Sequence, residues 1–351
     1  MPFCCDETVS TGSLATLGPI ARLLSDRRHL VLLAVRYGLF LVLAIWIAVM
    51  SFASEHFLTV SNMLNVSRQA APIVIIAVGM TLVMATAGID LSVGSLVALI
   101  SILIVELFGL GLQTWIVIPA VLVVGLISGL LNGAFVRIGL PPFVVTLAAL
   151  VSLRGIAFVI SGGYATPVGN ELVLWLGRGD IAGVHVPIVL AAIASIAGWV
   201  VLNKTRFGLY ALAVGGREDA AHAMGINVGR MKLAVYGTVG TLGAVGAVVL
   251  TGRLGNGSPN AGMLLELDVI AAIVLGGTSL FGGVATIGGT VAGALFLNAV
   301  RNGLNLMGVD PYWVQVVTGW ILLLAVLVNT VVNRRVTEWA RAARIDDQPE
   351  A

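Results

Sequence analysis

Apolar runs of about twenty residues follow one another along almost the whole chain, separated by short polar breaks. A helix rises about 1.5 Å per residue and a bilayer core is about 30 Å thick, so runs of this length cross it with their backbone polar groups satisfied internally. Only 10% of the residues are charged, where a soluble domain carries about 25%. There is too little polar surface to solubilise a fold of this size, and the pattern predicts an all-α polytopic membrane protein.

Ten spans are predicted, at 31–53, 70–87, 94–111, 115–136, 143–161, 184–202, 233–251, 268–281, 284–300 and 313–332. The division between the eighth and ninth is the least defined, because Gly276, Gly277, Gly282 and Gly283 surround Thr278 to Phe281 as either a turn or a broken helix. No short apolar leader with a small-residue cleavage site precedes the run beginning near Leu30, so that run reads as a retained first span. The organisation expected is a tail over 1–30, a membrane domain over 31–332 with an extramembrane segment at 203–232, and a second tail over 333–351. Cytoplasmic flanks retain lysine and arginine. An even number of spans starting inside gathers Arg22, Arg27, Arg28, Arg137, Lys204, Arg206, Arg217, Arg230, Lys232, Arg334, Arg335, Arg341 and Arg344 on the cytoplasmic side. Arg68, Arg178, Arg253 and Arg301 fall opposite, and Arg36 and Arg154 fall within spans, so both termini are expected in the cytoplasm.

Several function classes are disfavoured at once. The 19 basic residues nearly balance 17 acidic ones and form no stripe, which argues against nucleic acid as a partner. Cys4 and Cys5 are adjacent and cannot join distant parts of the chain. His29, His56, His185 and His222 are scattered, with no His-Glu-x-x-His or Gly-x-Ser-x-Gly pattern, so neither metal nor serine hydrolysis has support. The two lysines, Lys204 and Lys232, stand outside any phosphate-cradling Gly-x-x-x-x-Gly-Lys motif. If ATP drives this chain, another polypeptide binds it.

Forty-three glycines exceed what an anchoring bundle needs and suit helices that pack closely or break beside cavities. Gly-x-x-x-Gly spacing recurs at Gly125/Gly129/Gly133, Gly225/Gly229 and Gly289/Gly293, of which the first and last lie in apolar helices. Asp90 sits between Gly88 and Gly94, either capping a helix break through its side chain or meeting a solute. Glu266 and Asp268 precede an apolar run whose exposed N-terminal amides favour carboxylates.

Asn298, Asn302 and Asn305 lie at i, i+4 and i+7 and predict one polar stripe, which serves either capping and interhelical hydrogen bonds or the lining of a translocation route together with Asp90 and Asn132. Within 203–232, Glu218 and Asp219 occupy a first helical turn and Gly225 suits a left-handed cap. The short helix between them presents Ala220, Ala221, Ala223 and Met224 as a smooth face fit for a groove on another protein, or merely closes a loop.

Three stretches resemble the membrane permeases of bacterial ATP-binding-cassette importers for ribose, xylose and arabinose. They are Gly88-Ile-Asp-Leu-Ser-Val-Gly-Ser95, then Leu131-Asn-Gly133 with Leu140 to Leu147 and Arg154-Gly155, then Thr205-Arg-Phe-Gly208 continuing through Gly225-Ile-Asn-Val228, Glu266 to Ala272 and Gly276 to Gly283. The likeness spans roughly 35–332 and implies a type II importer-like subunit in a bacterial inner membrane, paired with a second permease subunit. It further implies a cytoplasmic ATPase that holds ATP and magnesium, and a periplasmic sugar-binding protein. On this likeness Glu218, Asp219, Ala220, Ala221, Met224, Gly225 and Ile226 form the coupling helix, and the chain itself needs no cofactor. The family's motifs overlap with those of carriers of nucleosides, inositol or a furanosyl signal. An ion-coupled secondary transporter is the competing class, but it would not need the 215–230 segment.

Overall fold

The computed structural model describes residues 43–346, with side-chain surroundings given as far as residue 327 and at residue 330. The expectations for residues 1–42, including Cys4 and Cys5, and for 347–351 lie outside the described residues. Helix α1 covers Leu43–Ala53. It is followed by α2 (Val60–Ala85), α3 (Val93–Gly109), α4 (Thr114–Arg137), α5 (Pro142–Ser161), α6 (Glu171–Arg178), α7 (Val186–Lys204), α8 (Arg206–Gly216) and α9 (Glu218–Ala223). Helices α10 (Val228–Leu254), α11 (Leu265–Leu275), α12 (Ile287–Leu306) and α13 (Pro311–Asp346) complete the order. Five of these, α2, α4, α5, α7 and α10, are long and apolar enough to cross a membrane by themselves. Among the described residues each predicted span overlaps a helix, as an all-helical polytopic membrane protein requires.

Helices α2 and α10 form the centre. In its most apolar stretch α2 is 89% buried, against 17% for α5, whose apolar side chains face outward. Helix α10 packs on α4 without side chains between them: a Cβ on Gly129 would overlap the Tyr236 carbonyl oxygen, and one on Gly125 would come within 2.6 Å of the Gly240 carbonyl oxygen. The 125/129/133 glycines therefore do what their spacing predicts. The 289/293 pair does the same against α11, where Gly293 lies on the Ala272 carbonyl. Gly225 and Gly229 serve otherwise, the first as a left-handed cap at φ +82° and the second beneath the Arg137 side chain.

Boundaries moved where polar residues sit inside a helix. The second span was expected from residue 70, but α2 starts at Val60, capped by Thr59 Oγ1, which accepts from Asn62 N at 3.3 Å. Its first turns carry Asn62, Asn65, Ser67, Arg68 and Gln69, which dilute the hydropathy without breaking the helix. Arg68, Arg253 and Arg301, expected outside the spans, are helical for the same reason. The eighth segment is a broken helix: α11 stops at Leu275, and left-handed Gly277, Gly282 and Gly283 turn the chain before α12 starts at Ile287. Eleven residues rise only about 16 Å, roughly half the hydrocarbon core. Helix α13 continues past the predicted end of the last span at 332, to Asp346.

Between α5 and α7, α6 and two short strand pairs form a cap that the hydropathy pattern did not distinguish from loop. Strand β1 (Thr166–Pro167) pairs antiparallel with β4 (Asn256–Gly257), while β2 (Asp180–Ile181) and β3 (Val184–His185) make a hairpin. Arg178 of α6 donates through Nε to the Arg253 carbonyl at 2.9 Å, tying the cap to the end of α10.

Candidate functional site

The two ends of the bundle differ in character, and α10 runs between them. At one end, α9 follows α8 after a single residue, Arg217, and four residues, 224–227, separate α9 from α10. Lys232 Nζ donates to both carboxylate oxygens of Glu218, at 2.8 and 3.0 Å, which clamps the start of α9 to the second turn of α10. Ala221 is fully buried within the chain, and its carbonyl accepts from Ile226 N at 3.1 Å. It cannot belong to an outward docking face, as expected from the sequence, because the six-residue helix needs an anchor of its own and Ala221 supplies it. The exposed side is Asp219, His222, Ala223 and Met224, with Met224 69% exposed, while Ala220 and Ile226 are half-buried.

Near that end lies the turn joining α2 to α3. Ala87 takes φ +59°, and Asp90, 1% exposed, folds back so that Oδ1 accepts from Ser92 N at 2.8 Å and from Ser92 Oγ at 2.6 Å. Asn132 Nδ2 of α4 donates to Ser92 Oγ at 2.9 Å and to Asp90 Oδ2 at 3.3 Å. The Tyr236 hydroxyl of α10 donates to the Ile89 carbonyl at 3.1 Å. Asp90 thus closes an Asx-type turn and Asn132 fastens it to α4, the capping arrangement that competed with solute contact in the sequence. Asn132 also borders an apolar cleft of about 550 Å³ between α4 and α5.

At the opposite end is a polar chamber of about 460 Å³, within the range of small-molecule sites. Gln69 and Pro72 of α2, Leu250 and Arg253 of α10, residues 260–263 and Asp268 of α11 form part of its lining. Asn298, Arg301 and Asn305 of α12 complete its polar wall. Arg301 and Asp268 form a two-pronged ion pair, with Nη1 donating to Oδ2 at 2.8 Å and Nη2 to Oδ1. A fork of this kind fixes both groups while leaving acceptor lone pairs toward the cavity. The pair also lines a second cavity of about 250 Å³ against α13. Amides that both donate and accept, beside a fixed carboxylate and guanidinium, suit a neutral solute rich in hydroxyl groups.

The asparagine stripe divides. Asn298 and Asn305 line the chamber, Asn298 also donating to the Ala294 carbonyl at 2.9 Å. Asn302 turns toward α2 and exchanges two amide hydrogen bonds with Asn62, at 2.8 and 2.9 Å. Asp90, in the turn after α2, and Asn132, near the end of α4, sit far from the chamber. Sequence reasoning missed Gln69, Arg253, Asp268 and Arg301 as chamber residues. Their signal was ionisable or amide groups within helices, which are expensive unless they face protein or water.

The structure also agrees with what comparison finds. Residues 62–326 match the family described as the permease component of the branched-chain amino acid transport system. The chain belongs to this permease family. The ribose import permease protein of Escherichia coli is 40% identical over 294 residues, covering 82% of this chain and 92% of that protein. The ribose import permease protein of Bacillus subtilis is likewise 40% identical over 297 residues, covering 84% and 92%. The xylose transport system permease protein of Escherichia coli is 33% identical over 363 aligned positions, covering 84% and 92%. No solved structure matches the chain. As a permease of this family it is a multi-pass membrane transport subunit, not an enzyme.

Proposed function

We propose that this permease is the membrane subunit of an ATP-driven, binding-protein-dependent importer that carries a monosaccharide, ribose or xylose first among them, across the bacterial inner membrane. The observation that carries the reading is the separation of a polar chamber at one end of α10 from an exposed short helix at the other. Sugar is delivered by a periplasmic binding protein to the chamber side, where Asn298, Asn305 and the Asp268–Arg301 pair offer exchangeable hydrogen bonds instead of a deep charged trap. On the cytoplasmic side the exposed face at α9, formed by Asp219, His222, Ala223 and Met224, docks in a groove of a separate ATPase that binds ATP and magnesium. Two such subunits pair, with both termini in the cytoplasm. The sugar-permease relatives, whose similarity extends over most of this chain, support the substrate class.

In proteoliposomes containing the permease, the ATPase and the binding protein, labelled ribose is expected to accumulate only with ATP inside or on the ATPase side. Accumulation by the permease alone in a proton gradient would replace this reading with ion-coupled transport. Met224→Asp places a charge on the docking face without touching the fold, and is expected to lower binding-protein-stimulated ATPase activity about tenfold, equivalent to about 1.4 kcal/mol of coupling. The protein should keep its wild-type elution profile in detergent.

A further inference from the structure

Two ionisable groups near the chamber have no place in that account. Glu266 is 8% exposed, and its Oε2 has no hydrogen-bond partner among the described residues. Ser95, fully buried on α3, is in the same state through Oγ. An ionised carboxylate buried in this way is costly unless a cation lies near it. The cation on that side is Arg154 of α5, whose Nη2 reaches the Gly262 carbonyl at 3.4 Å, beside the space that Glu266 Oε2 enters. Gly94 makes that space: a Cβ there would overlap Glu266 Oε2 and approach the Gly262 carbonyl oxygen to 2.6 Å.

Arg154 uses its donors on the backbone of one segment. Nη1 donates to the Pro259 and Ala261 carbonyls, both at 2.8 Å, and Nη2 reaches the Gly262 carbonyl at 3.4 Å. Residues 260–263 of this segment form a wall of the polar chamber. The next residue, Leu264, holds a left-handed backbone at φ +61°, a conformation that a branched side chain adopts only when its surroundings enforce it. Ser101 of α3 adds a second tie, accepting from Ser258 N at 3.1 Å.

We propose that Arg154 is a positioning residue for the chamber: its guanidinium fork fixes the shape of the 259–264 wall from behind, and Glu266 is the counter-charge that keeps the fork in place. The role rests on the chamber being where the sugar enters. Lysine keeps the charge but as a point group without the rigid planar fork, and glutamine loses both charge and fork. Without the fork the wall loosens, Leu264 relaxes, and the edge of the chamber beside Asn260 and Asp268 is no longer held.

The test uses the assembled transporter in proteoliposomes, with Cys4 and Cys5 replaced by serine and Ala261→Cys, 6% exposed in its parent residue, as the reporter. Thiol labelling at 261 is expected to accelerate about tenfold in Arg154→Gln and about threefold in Arg154→Lys, with Glu266→Gln falling between. Half-saturation for ribose uptake rises in the same order, and the maximal rate stays within about twofold. If Arg154→Gln fails to assemble, Arg154→Lys and Glu266→Gln carry the result. Labelling unchanged from the parent in both would overturn the positioning role. A parent that labels as expected but takes up no sugar would count against the transport reading alone, because the labelling rate needs no substrate.

Discussion

Gly129→Leu is expected to remove nearly all folded permease from the membrane. The α4–α10 contact is backbone on backbone at this point, and a Cβ at 129 already overlaps the Tyr236 carbonyl oxygen. Neither side can yield by rotating a side chain, so the helices must separate along their shared length and open the centre of the bundle. Overpacking ordinarily costs about 1–3 kcal/mol because side chains move aside; here the cost should exceed about 4 kcal/mol. Gly155→Ala is the control, since a Cβ there meets nothing within 4 Å and lies on the outward-facing α5. Removing a helical glycine at such a site should stabilise by up to about 1 kcal/mol. Thermal melting in detergent followed by size exclusion measures both. A monodisperse Gly129→Leu protein with an unchanged melting temperature would show that the glycine contact is not what holds α4 to α10.

The second large effect is expected at Asp268. Asp268→Ala leaves Arg301 without its carboxylate inside a helix that packs against α11 and α13, and breaking a buried pair from one side costs about 3–5 kcal/mol. The side chains of Asp268 and Arg301 are 16% and 27% exposed, so the lower end of that range applies. Transport should fall by about two orders of magnitude, since roughly 2.7 kcal/mol is a hundredfold change. Asp268→Ala combined with Arg301→Ala should recover much of the stability, because no unpaired charge remains, yet should not recover transport, because the chamber has lost its fixed polar pair. A double variant as unstable as the single one would mean that each residue acts through other partners.

What the sequence made legible followed from local rules. The apolar runs marked the helices, the glycine spacing marked the two close helix contacts, and Asp90 beside Ser92 announced a capped break that Ser92 N and Oγ complete. The residues it misplaced are those whose partner is distant in sequence. Asn302 looked like a pathway residue because nothing local revealed Asn62, 240 positions away in turns of α2 that resemble a loop. Ala221 looked outward because a six-residue helix has too little periodicity to declare its buried side. The chamber itself was hidden for the same reason: Asp268 and Arg301 are 33 residues apart, and a broken helix had to fold between them before they could meet.

The most direct measurement is sidedness with protection, using single cysteines at Asn305 and Met224 in a protein lacking Cys4 and Cys5. In sealed right-side-out vesicles a membrane-impermeant thiol reagent is expected to label the cysteine at 305 from outside, and ribose should slow that labelling. The cysteine at 224 should react only after the membrane is opened, and the bound ATPase should shield it. Labelling of both positions from the same side, or a cysteine at 305 indifferent to every sugar tested while the assembled transporter carries one of them, would contradict a chamber that receives sugar outside and a helix that docks the ATPase within.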